Sequence, residues 1–276
     1  MNFWRRLRNK ILDPRDPFFG RWKQIFAFTC LIAISVDLLF FYIPEINEKE
    51  KCLHFDEAFQ ITACVLRSIF DLFYVLRIII QLHTGFIATS SRAYGRGELI
   101  ADSEAARKRY LSGYFVIDIL SIIPLPQYLP RIIRIYPIWK QMSRTSAILT
   151  GSVTVWSAAA TNLLFYILAS NVVGSFYYLF SVESELRCWQ QALKNSESYN
   201  AAFSDDIFFT CAHHNQTIVS LLSTSCHYID ANEMKDPTVF DFGIFKEALS
   251  SHVVDSSTYF SQKFFYCFWW GLRNIS

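Results

Sequence analysis

The chain has 276 residues, of which 52% are hydrophobic, 17% aromatic and 18% charged. A water-soluble domain carries about a quarter charged residues, so this composition argues against a soluble enzyme. The 26 Phe, 14 Tyr and 7 Trp also exclude a disordered chain, which could not leave so much apolar surface in water. The formal net charge is only +2, but the charges are distributed unevenly along the chain.

Apolar segments of about 20 residues, the length that crosses a membrane as a helix, occur at three places. They are residues 25–43, with one charge, residues 61–82, with three, and residues 158–180, with none. Residues 113–138 are interrupted by prolines and predict one further span. The aromatic segment 264–272 is too short to cross, so it predicts a re-entrant or interfacial helix.

Positive and negative side chains are sorted between the segments that flank these apolar runs. Residues 1–23 and 89–110 are basic, whereas residues 44–58 and 182–262 are acidic. Cytoplasmic flanks carry an excess of Lys and Arg, so the pattern predicts a cytoplasmic N-terminus and a long external loop. The glycosylation sequon that starts at Asn215 falls in the second acidic segment and agrees with this orientation.

Four of the seven cysteines fall in segments predicted to be external, where the redox environment allows disulfides. They are Cys52, Cys188, Cys211 and Cys226. Their even number predicts two disulfides, and the sequence leaves all three pairings open. A metal site is the alternative, since five possible ligands cluster in sequence: Cys211, His213, His214, Cys226 and His227. Because C-x-H-H without a second matching pair fits no established zinc spacing, we expect no metal there.

Ionisable side chains inside the apolar segments need partners, because each costs about 2.5 to 3.5 kcal/mol at the centre of a membrane helix. Arg67 and Asp71 are four residues apart and therefore share one face of the second span. In one interpretation this pair satisfies itself and Arg77 extends toward the interface. In the other, span acids face arginines of a further helix, as in voltage sensors. The charges concerned are Arg67, Asp71, Asp118, Arg131 and Arg134.

Motifs of enzymes and of cofactor sites are not found in the sequence. It has no nucleotide-binding glycine loop, no HExxH motif and no recognisable catalytic triad. The segment Gly95-Arg-Gly97 is a lone G-x-G without the strand and helix that make a phosphate site. We therefore expect no catalytic activity, no bound cofactor and no nucleic-acid partner.

Eight segments in chain order carry a resemblance that covers almost the whole chain. They are ILDPRDPFFGRW (11–22), LLFFYIPEI (38–46), VLRSIFDLFYVLRI (65–78), SSRAYGRGELI (90–100), RYLSGYFVIDILSIIPLPQ (109–127), LPRIIRIYP (129–137), NLLFYILASNVVGSFYYLFSVE (162–183) and KFFYCFWWGLRNIS (263–276). Together they resemble the plant cyclic nucleotide-gated cation channels. The resemblance implies an all-α plasma-membrane subunit with six transmembrane helices. Four form a voltage-sensor-like bundle and two line the pore of a tetramer that carries Ca²⁺ and K⁺.

The resemblance also implies an organisation for this chain. It has a cytoplasmic N-terminus (1–24), a voltage-sensor-like region (25–145), a first pore-domain helix (146–182), an external loop (183–258) and a pore helix (259–276). The matched pore-helix residues are Phe264, Phe265, Trp269, Trp270, Gly271, Arg273 and Asn274. The two tryptophans could wedge this helix between neighbouring subunits or could serve ordinary packing.

Two places depart from the family pattern. The sequence ends at Ser276, ahead of the family's selectivity filter, sixth helix, cyclic-nucleotide domain and calmodulin-binding segment, and it is shortened at 127–131. We therefore expect a subunit that does not conduct alone, with residues 114–139 as a cramped hairpin that keeps the long loop external. One alternative is a non-conducting protein that co-assembles with full-length subunits and modulates them. Another is a receptor or scaffold whose disulfide-bonded loop binds a ligand.

Overall fold

The computed structural model describes residues 17–84, 86–87, 99–100, 108, 110–112, 115, 152–194, 211, 216–228 and 240–276. Its helices are α1 (Pro17–Asp37), α2 (Glu57–Leu82), α3 (Ser152–Lys194), α4 (Gln216–Ser225), α5 (Lys246–Ser250) and α6 (Phe260–Ile275). Short 3₁₀ helices cover Leu38–Tyr42 and Gly243–Phe245. The strands are β1 (Pro44–Asn47), β2 (Cys52–Phe55), β3 (Phe86–Ile87) and β4 (Leu99–Ile100). The described part is thus mostly helical, with two small antiparallel sheets that an all-α class does not include.

Two helical segments in the described ranges are long and apolar enough to cross a membrane. They are Gln24–Tyr42 and Asn162–Lys194, which overlap most of the first and the last predicted full spans. The second predicted span also forms one continuous helix, α2, and it carries Arg67, Asp71 and Arg77 within it. The predicted span at 113–138 lies outside the described residues.

Helix α3 is longer than the sequence predicts. Its 43 residues make it about 65 Å long, more than twice the thickness of a hydrocarbon core. The apolar run ends at Phe180, but the helix continues past the predicted boundary at 182 to Lys194. Beyond the apolar run, Cys188 and Trp189 are buried in the protein core and hold the extension in place. The first part of the predicted external loop is therefore helical.

Strands β1 and β2 form a hairpin with a sharp turn. They pair antiparallel from Pro44 opposite Phe55 to Asn47 opposite Cys52. The Asn47 side-chain oxygen accepts hydrogen bonds from the backbone N–H of Lys49 and of Glu50, each at 3.2 Å. This is how Asn shapes a turn, since its side chain bonds to the backbone two residues on.

The chain divides into two compact units. The first unit comprises Met1–Val36 and Val65–Thr161, and the second comprises Asp37–Cys64 and Asn162–Ser276. In the described part of the first unit, α1 and α2 bury a cluster of apolar side chains: Phe26, Cys30, Ala33 and Tyr74. In the second unit the core is larger, and its most deeply buried large side chains include Trp189, Tyr42, Tyr178, Ile46 and Leu222.

Charged and aromatic side chains meet inside the first unit. Arg67 Nε lies 3.9 Å from Asp71 Oδ2, one helical turn further along α2. The Arg77 guanidinium lies 4.1 Å from the centre of the Phe26 ring, whose edge contacts Tyr74. A guanidinium over an aromatic face is attracted by the ring quadrupole, so Phe26 gives this partly buried cation an electrostatic partner.

Candidate functional site

Helix α6 lies in the second unit and coincides closely with the predicted pore helix. It spans Phe260–Ile275, one residue shorter at each end than the prediction of 259–276. Its 16 residues make it about 24 Å long, less than the roughly 30 Å of a hydrocarbon core. A helix of this length has to be held by the protein around it, and several sets of contacts hold α6.

The first set is a close backbone contact with α3. A Cβ built on Gly174 would collide with the backbone oxygen of Cys267, and one built on Gly271 would collide with the backbone oxygen of Ser170. Small residues at a helix crossing let two backbones approach and pack without a hydrophobic driving force. The two glycines therefore fix where α6 crosses α3.

The second set is aromatic. The Trp270 and Tyr177 rings are stacked, with centroids 3.7 Å apart and planes inclined by 7°. The Tyr166 hydroxyl donates a hydrogen bond of 3.1 Å to the Leu272 carbonyl at the end of α6. Trp269 faces the other way and is 67% exposed, like Phe265 one turn earlier at 65%. Of the two predicted wedge residues, Trp270 packs within the chain and Trp269 is exposed on its surface.

The third set is a buried ion pair at the start of α6. Lys263 Nζ donates a hydrogen bond of 2.6 Å to Glu45 Oε1 of strand β1, and the Lys263 side chain is completely buried. Burial raises the pKa of Glu45, although the hydrogen bond and the charge of Lys263 oppose that rise. This pair joins α6 to the hairpin, and sequence reasoning did not single out either residue.

The end of α6 is held by contacts at the surface. Arg273 forms an exposed ion pair with Glu247 of α5 at 3.3 Å, and the Tyr266 hydroxyl donates to the Glu247 carbonyl. The Asn274 side chain donates to the Trp270 carbonyl one turn earlier, at 2.7 Å. Exposed ion pairs contribute little stability, so the burial of Lys263 distinguishes the start of α6 from its end.

The four predicted disulfide cysteines form two bonds in the structure. Cys52 pairs with Cys211 and Cys188 pairs with Cys226, at S–S distances of 2.01 and 1.99 Å. The first bond anchors the β1–β2 hairpin, and the second joins α3 to the end of α4. Because Cys211 and Cys226 belong to different disulfides, they are not available for the metal cluster that the sequence allowed as an alternative.

Other predicted site residues are only partly placed. Arg67 and Asp71 share one face of α2, as expected from their spacing. The remaining predicted sensor charges and the glycosylation candidate lie outside the described residues: Asp118, Arg131, Arg134 and Asn215. Phe264 is half-buried and lies 6.2 Å, ring centre to ring centre, from Tyr42 in the core of the second unit.

Comparison with known proteins gives one consistent result. No protein-family model matches the chain. Cyclic nucleotide-gated ion channel 1 of Arabidopsis thaliana is 47% identical over 297 aligned residues, covering 97% of this chain and 40% of the relative. Probable cyclic nucleotide-gated ion channel 10 of the same plant is 42% identical, over 98% of this chain and 41% of its own length.

The long apolar helices are compatible with a membrane protein, and the relatives that align with this chain are ion channels. The chain belongs to the plant cyclic nucleotide-gated ion channel family, as the resemblance implied. It spans about 40% of the length of the curated relatives it matches. These relatives are ion channels and not enzymes, and their cyclic nucleotide sites lie outside the part that aligns with this chain.

Proposed function

We propose that the chain is a subunit of a cyclic nucleotide-gated, non-selective cation channel that carries Ca²⁺ and K⁺. In this proposal α1 and α2 belong to a voltage-sensor-like bundle, α3 is the first pore-domain helix and α6 is the pore helix. The observation that carries it is the support of α6, a helix too short to cross a membrane yet held by glycine contacts and by the buried Lys263–Glu45 pair. A pore helix must hold a constriction still, and these contacts suit that task.

The proposal includes assembly with other subunits as a tetramer in the plasma membrane. Its structural support is the exposed aromatic face of α6, formed by Phe265 and Trp269. Large aromatic side chains that are exposed next to each other mark interaction surfaces. Cyclic nucleotides and calmodulin act, in this proposal, through parts of the channel outside these 276 residues.

Co-expression with a full-length relative tests the assembly. We expect the tagged chain to co-purify with Arabidopsis channel 1, and Trp269→Ser combined with Phe265→Ser to reduce the recovered partner at least tenfold. The matched control is Ile61→Ser in α2, also 65% exposed, which should leave recovery unchanged. Equal recovery with the double variant and with wild type would contradict the proposed interface.

Electrophysiology separates the two channel-related functions. By itself the chain should give no cyclic-nucleotide-dependent current in oocytes, because a pore needs convergent oxygens or side chains at a constriction, which follow the pore helix in the family. Co-expressed with a full-length relative, it should alter the current. A lowered current supports modulation by co-assembly, and a current from the chain alone would contradict this part of the proposal.

The proposed orientation has a cytoplasmic N-terminus and an external loop after α3. Microsomal expression tests it, since N-glycosylation occurs only on the lumenal side. We expect a glycan at Asn215 that Asn215→Gln removes and that an endoglycosidase releases. An unglycosylated loop that protease digests in sealed microsomes would show the opposite orientation.

A further inference from the structure

A histidine and two carboxylates meet where the β1–β2 turn approaches the loop before α6. Glu48 belongs to the turn, and His252 and Asp255 belong to the loop. One ligand atom from each side chain lies within 4.8 Å of the other two. His252 Nδ1 is 2.5 Å from Glu48 Oε2, although the two residues are 204 positions apart in the chain. The three side chains therefore converge through the fold and not through sequence proximity.

The backbone around these side chains is paired. The N–H of Ile46 donates to the Val254 carbonyl and the N–H of Ser256 donates to the Ile46 carbonyl, each at 2.9 Å. The Asp255 carboxylate accepts a hydrogen bond of 3.2 Å from the Ser257 N–H. Outer contacts of this kind orient metal ligands in proteins. The donor groups are thus presented from a fixed frame.

The surroundings are favourable for a cation. Burial raises the pKa of Tyr228, and the nearby carboxylates of Glu185, Glu48 and Asp255 raise it further. Lys51 lies 3.8 Å from Glu185 and offsets part of this charge. The three carboxylates that act on Tyr228 outnumber Lys51.

A second group of possible ligands in the described ranges is chemically different. Glu50, Cys52 and Cys211 also lie within 4.8 Å of one another. Both sulfurs belong to one disulfide, and a metal needs the free thiolate as ligand. That leaves the histidine-containing group as the one with all its donors available.

We propose that Glu48, His252 and Asp255 bind one divalent transition-metal ion of the zinc class, with water as a further ligand. Zinc takes imidazole nitrogen and carboxylate oxygen at about 2.0 to 2.2 Å, which places neighbouring donors roughly 3.3 Å apart in a tetrahedron. The Glu48–His252 contact has to open slightly to admit the ion. Side-chain rotation suffices, because the His252 side chain is 59% exposed.

The same donor set disfavours the hard cations. Ca²⁺ takes six to eight oxygens, whereas this group offers two carboxylates and one nitrogen. Imidazole suits Zn²⁺, Cu²⁺ and Ni²⁺. Bound metal would join the β1–β2 turn to the loop before α6. Its ligand Glu48 lies three residues after Glu45, which pairs with Lys263. The inference rests on the second unit and is independent of the proposed channel function.

Zinc titration of the full chain in lipid nanodiscs tests the proposal. A Cys64→Ser background removes an exposed thiol outside the disulfides, which could otherwise bind zinc. We expect one equivalent of Zn²⁺ to bind by calorimetry, and bound Co²⁺ to lack thiolate-to-metal absorption. In hydrogen exchange, Zn²⁺ should slow the amides of residues 48–51 and 252–258 together.

Variants decide whether these residues are the ligands. His252→Asn and Glu48→Gln should each weaken Zn²⁺ binding at least tenfold. Asn is chosen because His252 has a φ of 56°, which Asn tolerates. The control His54→Ala removes an exposed histidine from the same hairpin and should bind as wild type. Undetectable Zn²⁺ binding, unchanged affinity in both ligand variants, or equally tight Ca²⁺ binding would overturn the proposal.

Discussion

The two units of the molecule hold their charged side chains in different ways. In the first unit, Arg67 and Asp71 are neighbours on one helix, 3.9 Å apart and both partly exposed. In the second unit, Lys263 and Glu45 are 2.6 Å apart and 218 positions apart in the chain, and the lysine is fully buried. A local pair forms with the helix that carries it, whereas a distant buried pair forms only when the whole unit is assembled.

The disulfides deepen the contrast. Cys52–Cys211 closes a separation of 159 residues and Cys188–Cys226 one of 38, and both bonds lie in the second unit. Bringing distant segments together on folding costs loop-closure entropy. The disulfides lower this cost because they already restrict the unfolded chain. The second unit is therefore built as a frame around α6, and its contacts should fail together when one is removed.

The largest effect is expected where α6 crosses α3. Gly271→Val places a branched side chain against the Ser170 carbonyl, and neither backbone can move without separating the helices. We expect a loss of about 5 kcal/mol in the free energy of unfolding, measured by denaturant titration in detergent. The control is Gly243→Ala, which meets no atom within 4 Å but has a φ of +53° and should cost about 1 to 2 kcal/mol. Equal costs would show that the crossing is not close.

The next effect concerns the buried ion pair. Lys263→Met leaves the Glu45 carboxylate buried without its partner, so we expect a loss of about 3 to 5 kcal/mol at neutral pH. Combining it with Glu45→Leu removes the orphaned charge and should recover most of that loss. If the double variant is as unstable as the single one, Lys263 acts through packing of its stem and not through the ion pair.

Removing a disulfide should destabilise the second unit and leave the first unit unchanged. Cys52→Ser with Cys211→Ser should cost about 2 to 4 kcal/mol, because the unfolded chain regains the freedom of a long loop. Hydrogen exchange should speed up in the hairpin and in α6 and stay unchanged around Phe26 and Tyr74 in the first unit. Cys64→Ser, which removes a thiol outside both disulfides, should change neither region. Equal acceleration in both units would contradict their independence.

Helix α6 and the family could be predicted from the sequence, whereas the contacts that hold α6 in place could not. The aromatic run 264–272 indicates a short helix, because it is too apolar for water and too short to span, and the resemblance extends that helix to 259–276, close to the observed Phe260–Ile275. The burial of Lys263 could not be predicted from the sequence. Lysine at the start of an apolar helix normally marks its solvent end, and its partner Glu45 lies in a strand of only four residues.

Contacts between residues far apart in the chain could not be predicted from the sequence. Four external cysteines allow three pairings, and spacing favours none of them. The glycine contacts could not be predicted for the same reason. Gly174 and Gly271 each lie in a predicted helix, but the sequence does not show that the two helices cross at these residues. The long end of α3 was missed for a related reason, because Trp189 and Cys188 make that extension stable through burial and not through an apolar run.

The smallest expected effect is the pH dependence that Glu45 adds to the second unit. Burial raises the pKa of this carboxyl in the folded chain, so the folded state binds the proton more tightly than the unfolded state does. Its contribution to stability is then fully present below the unfolded pKa of about 4.3 and is lost as pH rises through the folded pKa. Relative to Glu45→Gln, wild type should lose stability across that range.

The measurement compares the free energy of unfolding of the two proteins from pH 4 to pH 7, with both disulfides intact. We expect the free energy of unfolding of wild type, relative to that of Glu45→Gln, to fall as the pH rises. The opposite slope, with wild type gaining stability relative to Glu45→Gln, would show that the attraction of Lys263 outweighs the cost of burial. In that case the folded pKa of Glu45 is lowered, and the ion pair adds net stability to the frame around α6.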